Sequence, residues 1–162
     1  MTKRLLRNKN ENEEILRRNA DTVYRIAFLR TENKHDAEDI MQEVFLRFVK
    51  HSPFFENQEH EKAWFIRTTL NRTNSFFTSA WNRRVVPLDE IIKSFDEMSD
   101  SEVLDAVMSL PKDISTAIHL YYYENMTVKE ISDVVGKSES AIKSLLFRGR
   151  KLLRISLEET YR

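Results

Sequence analysis

Residues 138–154 place Ser140, Lys143, Ser144, Phe147, Arg148, Lys151 and Arg154 at intervals of three and four positions. At about 100° per residue these side chains fall on or near one side of a helix, and Ile142, Leu145, Leu146, Gly149, Leu152 and Leu153 fall on the other. The polar side suits nucleic acid: lysine and arginine reach phosphates and guanine edges, serine permits close approach, and an aromatic ring meets a thymine methyl. A solvated amphipathic helix shows the same charge pattern, so the preceding residues decide between the two. Thr127 stands where an N-cap is needed, and Glu130, three residues on, completes a capping box. Val128, Ile131, Val134 and Val135 recur at helical spacing. Gly136, one of 2 glycines in the chain, falls where a left-handed residue would stop that helix. Ser138 then caps the next. Two short helices, a glycine turn and a basic outer face predict a DNA-reading helix-turn-helix.

A second basic block lies at residues 62–84, where Lys62, Arg67, Arg72, Arg83 and Arg84 occur without an aspartate or glutamate. The spacing predicts a helix over 61 to about 81 with Ala63, Ile66, Leu70 and Phe77 as its core stripe. Arg67, Asn71, Arg72 and Ser75 lie away from that stripe, with Phe76 off it and Trp81 near the end. Cations interleaved with aromatics suit single-stranded DNA, whose backbone follows the charge while bases stack on the rings. Trp64, Phe65 and Phe76 can instead pack on neighbouring helices. Just upstream, HSPFFENQEH sets Phe54 and Phe55 beside Asn57 in a proline-containing loop. Such a pair either lids the core or lines a pocket for an extruded base, held by stacking and amide hydrogen bonds.

These elements need a scaffold, and the chain reads as helical throughout. Its 162 residues include Gly 2, Pro 3 and Cys 0, a composition of all-α folds without disulfides or thiolate metal sites. A first helix is expected over 11–30, with Ile15, Val23, Ile26 and Ala27 inward. A second is expected over 37–50, capped by Asp36, with Ile40, Met41, Val44, Phe45, Phe48 and Val49 as an apolar stripe opposite Glu38, Asp39, Gln42, Glu43, Arg47 and Lys50. Residues 85–100 lose periodicity, contain Pro87 and turn acidic, with a partial helix about Ile91 and Ile92. They are read as a linker between two small helical domains, residues 1–84 and 101–162. In the second domain, helices over 101–109 and 112–124 precede the helix-turn-helix. There Ile114, Ala117, Ile118, Tyr121 and Tyr122 are expected to face it. His35, His51, His60 and His119 show no metal-ligand spacing, and no nucleophile with a base, carboxylate pair or phosphate loop appears. No apolar run reaches membrane-spanning length and no secretory leader is visible, so a cytoplasmic location is expected.

The formal net charge is +0. Strong independent DNA binding usually needs a basic excess, because phosphate neutralisation supplies most of the affinity. Here two basic blocks flank an acidic connector, which predicts two separate nucleic-acid surfaces.

In this order the segments resemble a bacterial sigma-seventy-family transcription initiation factor of the small extracytoplasmic-function group. DAEDIMQEVFLRFVK (36–50) resembles the family's region-two helix that binds the clamp coiled coil of RNA polymerase. AWFIRTTLNRTNSFF (63–77) resembles the helix that opens and reads the minus-ten element. Residues 110–153 resemble region four, which reads the minus-thirty-five element. The resemblance implies a non-enzymatic specificity subunit without cofactor or small-molecule substrate, partnered by core RNA polymerase, promoter DNA and an anti-sigma factor. It implies that Asp39, Gln42, Glu43 and Phe45 face polymerase. It places Arg67, Asn71 and Arg72 along the opened minus-ten strand, with Phe54, Phe55 and Asn57 near a base pocket. It assigns Lys143, Ser144, Phe147 and Arg148 to minus-thirty-five DNA, and Ser140 and Lys151 join them from the same helix face. Ser75 stands where the family usually has aspartate, Lys143 where arginine is frequent, and Gly149 where alanine is usual. With lysine at 143, a phosphate contact is favoured over bidentate guanine reading. A stand-alone helix-turn-helix regulator and a helical protein-binding adaptor are the competing readings.

Overall fold

The computed structural model describes residues 7–79 and 101–160, and every regular element among them is helical. The expected linker, with Trp81, Arg83 and Arg84, lies outside the described residues. The chain forms two compact units.

The first unit holds α1 (Lys9–Thr31), α2 (Lys34–His51) and α3 (Gln58–Ser79). α1 starts earlier than its apolar pattern suggests because Asn8 and Glu11 close a capping box: the Asn8 side chain accepts from the Glu11 N–H at 2.8 Å, and the Glu11 carboxylate accepts from the Asn8 N–H at 3.0 Å. α3 likewise starts at Gln58 because Asn57 caps it, its side-chain oxygen 2.8 Å from the His60 N–H. α2 begins ahead of Asp36, which lies in its first turn and there offsets the helix dipole. Val23, Ile26, Ala27, Ile40, Val44, Phe48, Phe65 and Ile66 form the core. Val49, expected inward, is 52% exposed.

Two polar clamps run between α1 and α3. At one end the Glu61 carboxylate is buried and accepts from Arg18 through two nitrogens at 2.6 and 2.7 Å and from Asn19 at 2.7 Å. At the other, buried Arg30 donates to Thr73 at 2.8 Å and to Asn74 at 2.7 Å. Arg18 to Arg30 and Glu61 to Thr73 each span twelve positions, about 18 Å of helix at 1.5 Å per residue. The two helices therefore run parallel in matched register. Their rotation is fixed at both ends, and with it the direction in which the remaining faces of α3 look.

The second unit holds α4 (Ser101–Met108), α5 (Lys112–Ile118), a π-turn (His119–Tyr123), α6 (Val128–Val135) and α7 (Glu139–Thr160). Pro111 occupies the N-cap of α5 in an extended conformation, where it forfeits no helical hydrogen bond. The π-turn was not visible in the periodicity. It is closed by the Glu124 N–H donating to the His119 carbonyl at 3.1 Å, five residues back. The extra residue shifts the register, so Leu120 is buried while Tyr122, expected inward, is 54% exposed. Its hydroxyl instead engages Arg150, whose guanidinium lies 5.6 Å from the Tyr121 and Tyr122 ring centres.

Burial alone would raise the Glu61 pKa, but hydrogen bonds from Arg18 and Asn19 and the Arg18 charge outweigh it, holding the carboxyl below its ordinary range. A depressed folded-state pKa contributes stability that is present above the unfolded value and lost as pH falls through the folded one. Glu61→Gln should therefore cost about 2 kcal/mol at neutral pH, as for charged hydrogen bonds. The gap to wild type should close in acid, below the ordinary glutamate range. Urea titrations across pH check this, and a gap independent of pH would contradict it.

Candidate nucleic-acid interface

The turn that presents α7 is built by local chemistry. The Thr127 hydroxyl accepts from the Glu130 N–H and the Glu130 carboxylate accepts from the Thr127 N–H, both at 3.1 Å, so the capping box is complete. Gly136 adopts φ +79°, the left-handed cap that a side chain would strain. The Ser138 hydroxyl accepts from the Ala141 N–H at 3.1 Å and starts α7. Lys137 pairs with Asp113 at 3.0 Å, tying the turn to α5.

α7 divides into faces largely as its spacing predicts. Ile142, Leu145 and Leu146 are buried, and Ser140, Lys143, Ser144, Phe147, Arg148 and Lys151 are exposed, Phe147 at 68%. Leu152 differs, at 41% exposure. The helix also continues past Arg154 to Thr160. Among the described residues, no internal hydrogen bond or ion pair engages Lys143, Arg148 or Lys151. An exposed phenylalanine among free cations and serines costs solvation unless a partner covers it.

On α3 the clamps turn Arg67, Asn71, Asn74 and Ser75 outward, all exposed. Arg72 folds back onto Glu43 of α2 through two nitrogens, one at 3.1 Å. The loop before α3 splits its pair of phenylalanines. Phe55 packs with Phe48, Trp64 and Phe65, ring centres 6.0 to 6.3 Å apart, so it closes the core. Phe54 points away at 66% exposure. Arg7 pins the loop, donating to the Pro53 carbonyl at 2.6 Å with its guanidinium 4.8 Å from the Phe48 ring centre. Asn57 is exposed, with its side-chain oxygen committed to the α3 cap.

On α2, Asp39, Gln42 and Glu43 are exposed and Phe45 is half-buried. Asp39 lies 3.6 Å from His35. Leu46, at 69%, and Val49 extend this stripe as exposed apolar side chains. Sequence reading missed Leu46 and turned Val49 inward, although both follow Gln42 at helical spacing. A cleft of about 360 Å³ lies between α2 and α3, lined by Glu43, Leu46, Arg47, Asn71 and Arg72 among others. Among the described residues, no group of histidine, aspartate or glutamate is placed to hold a metal ion, and no helix is long and apolar enough to cross a membrane.

A three-helix unit with an acidic and apolar stripe, followed by a capped helix-turn-helix, defines a bipartite, all-helical DNA-binding protein. Residues 15–83 match the family described as Sigma-70 region 2, and residues 100–153 match Sigma-70, region 4. RNA polymerase sigma factor SigV of Bacillus subtilis is 30% identical over 139 residues, covering 83% of this chain and 83% of that protein. ECF RNA polymerase sigma factor SigM of the same organism is 30% identical over 152 residues, covering 88% of this chain and 92% of that protein. The chain belongs to the sigma-70 family of RNA polymerase sigma factors, in its extracytoplasmic-function group. The fold is shared with the sigma factor RpoE as solved in complex with the anti-sigma factor NepR from Bartonella quintana. The TM-score is 0.66 at 18% identity, over 93% of this chain and 96% of that one.

Gly149 is where α7 meets α5. A Cβ there would stand 2.7 Å from two Ile118 side-chain atoms and 3.0 Å from Ile114. Alanine would gain about 1 kcal/mol of helix propensity, but forcing a methyl into that contact costs about 1–3 kcal/mol. Gly149→Ala should lower stability by about 1 kcal/mol in urea titration on that balance. A stabilised variant would mean that α5 gives way freely.

Proposed function

We infer that this chain is the promoter-specificity subunit of a bacterial RNA polymerase, binding core enzyme and directing initiation at minus-ten and minus-thirty-five elements. Its carrying observation is the pairing of two different outward chemistries in one chain. An acidic and apolar stripe on α2 borders an arginine and asparagine face on α3, and a separate helix-turn-helix bears free cations. The first kind of surface suits a basic protein partner, and the other two suit nucleic acid. Residues 1–84 are proposed as the docking and minus-ten part, 85–100 as a connector, and 101–162 as the minus-thirty-five reader. The protein acts in the cytoplasm without catalysis of its own, cofactor or small-molecule substrate, and an anti-sigma factor is its proposed regulator.

On α2, Asp39, Gln42, Glu43 and Phe45 dock on the polymerase clamp, and the exposed Leu46 and Val49 supply apolar contact that the charged residues alone would lack. On α3, Arg67 and Asn71 follow the opened strand. Arg72 joins them when it leaves Glu43, an exchange of one exposed ion pair for another that costs little. Phe54, the outward ring of the loop, is the stacking surface for an extruded base. Phe55 supports it from the core side, and Asn57 holds the loop to α3. On α7, Arg148 and Ser144 approach base edges, Phe147 a thymine methyl, and Ser140, Lys143 and Lys151 the phosphates.

Arg148→Ala should weaken promoter-specific initiation by about 1–3 kcal/mol, as for a base contact. Run-off transcription with core polymerase reads this, and unchanged transcript levels would count against the assignment. Asp39→Arg combined with Glu43→Arg should abolish association with core while circular dichroism stays helical. Retained co-purification would overturn the docking face.

A further inference from the structure

We propose that Asn74 is a further strand-binding residue of the α3 face, donating its side-chain N–H groups to acceptor oxygens of the opened non-template strand. The structure fixes the orientation of its amide. Arg30 Nη2 lies 2.7 Å from Asn74 Oδ1. A guanidinium has donors only, so the atom it meets must be the amide oxygen, and the choice between oxygen and nitrogen is settled by chemistry. The anchor is itself rigid: Arg30 is buried, and its Nε donates at 2.8 Å to Thr73 Oγ1, which in turn donates at 2.8 Å to the Leu70 carbonyl. With its oxygen committed inward, Asn74 keeps two outward donors.

Those donors stand on the working face. Asn74 is exposed and follows Asn71 by three positions, as Asn71 follows Arg67 by four, so the three share one side of α3. A free asparagine amide can read an adjacent donor and acceptor, as it does on adenine. Asn74, whose oxygen is turned inward to Arg30, presents its N–H groups outward. It therefore selects keto oxygens of bases or phosphate oxygens and disfavours an amino group at the same place. The inference rests on the reading of the α3 outer face as the minus-ten surface.

Asn74→Asp is the informative substitution, because a carboxylate keeps the acceptor for Arg30 and replaces the outward donors with an acceptor. Holoenzyme reconstituted with this variant should retain a fork-junction DNA bearing a single-stranded minus-ten strand about tenfold more weakly than wild type. Its melting temperature should not fall, because the carboxylate still accepts from Arg30, and its core binding should be unchanged. Asn74→Ala should lose retention too, without the added charge. A base scan of the probe distinguishes the sources: loss confined to a keto-bearing base at one position identifies a base contact, and loss uniform across the scanned bases identifies a phosphate. Wild-type retention by Asn74→Asp, while Arg67→Ala and Asn71→Ala weaken it, would overturn the proposal alone. Wild-type retention by all three would overturn the minus-ten surface with it.

Discussion

The first unit depends on one buried carboxylate. Glu61 lies at the start of α3, where its charge also complements the helix dipole, and Arg18 and Asn19 of α1 hold it from below. Removing a carboxylate from water is costly unless its lone pairs are filled, and three short hydrogen bonds fill them. Such a contact is weak as a source of net stability and strong as a determinant of register, since a slipped α3 would leave a buried charge without partners. The Arg30 clamp at the far end repeats the constraint. Between the clamps the apolar side chains of the core choose depth and packing. The clamps choose rotation, and rotation decides that Arg67, Asn71 and Asn74 look outward together.

Local chemistry was legible in the sequence and long-range chemistry was not. The helix-turn-helix could be read residue by residue because Thr127, Glu130, Gly136 and Ser138 act within a few positions of themselves. The division of α7 was legible for the same reason, apart from Leu152. Glu61 stood only as the expected start of a helix, because nothing nearby marks it as the partner of a residue 43 positions earlier. The π-turn escaped because hydropathy shows a period and not the insertion of one residue, and so Tyr122 was turned inward. Leu46 and Val49 escaped because hydropathy does not distinguish an apolar side chain on the surface from one in the core. Asn74 drew no notice, since its value comes from the oxygen that Arg30 occupies. The Arg72 side chain was assigned to DNA, and the free protein stores it on Glu43.

The charge balance now has a structural account. Arg18, Arg30, Arg72, Lys137 and Arg150 are each engaged inside their own unit. On α7, Lys143, Arg148, Lys151 and Arg154 remain available among the described residues. A few exposed cations on one helix, in a protein of formal net charge +0, provide too little counterion release for tight binding to duplex DNA. Affinity must then come from polymerase, with this chain supplying selection at two separate places. The direct measurement is the affinity of the purified chain for a duplex promoter, without and with core polymerase, over a range of salt. The account predicts weak, salt-sensitive binding by the chain alone and tight, sequence-specific binding once core is added. Tight, sequence-specific duplex binding by the chain alone would contradict it.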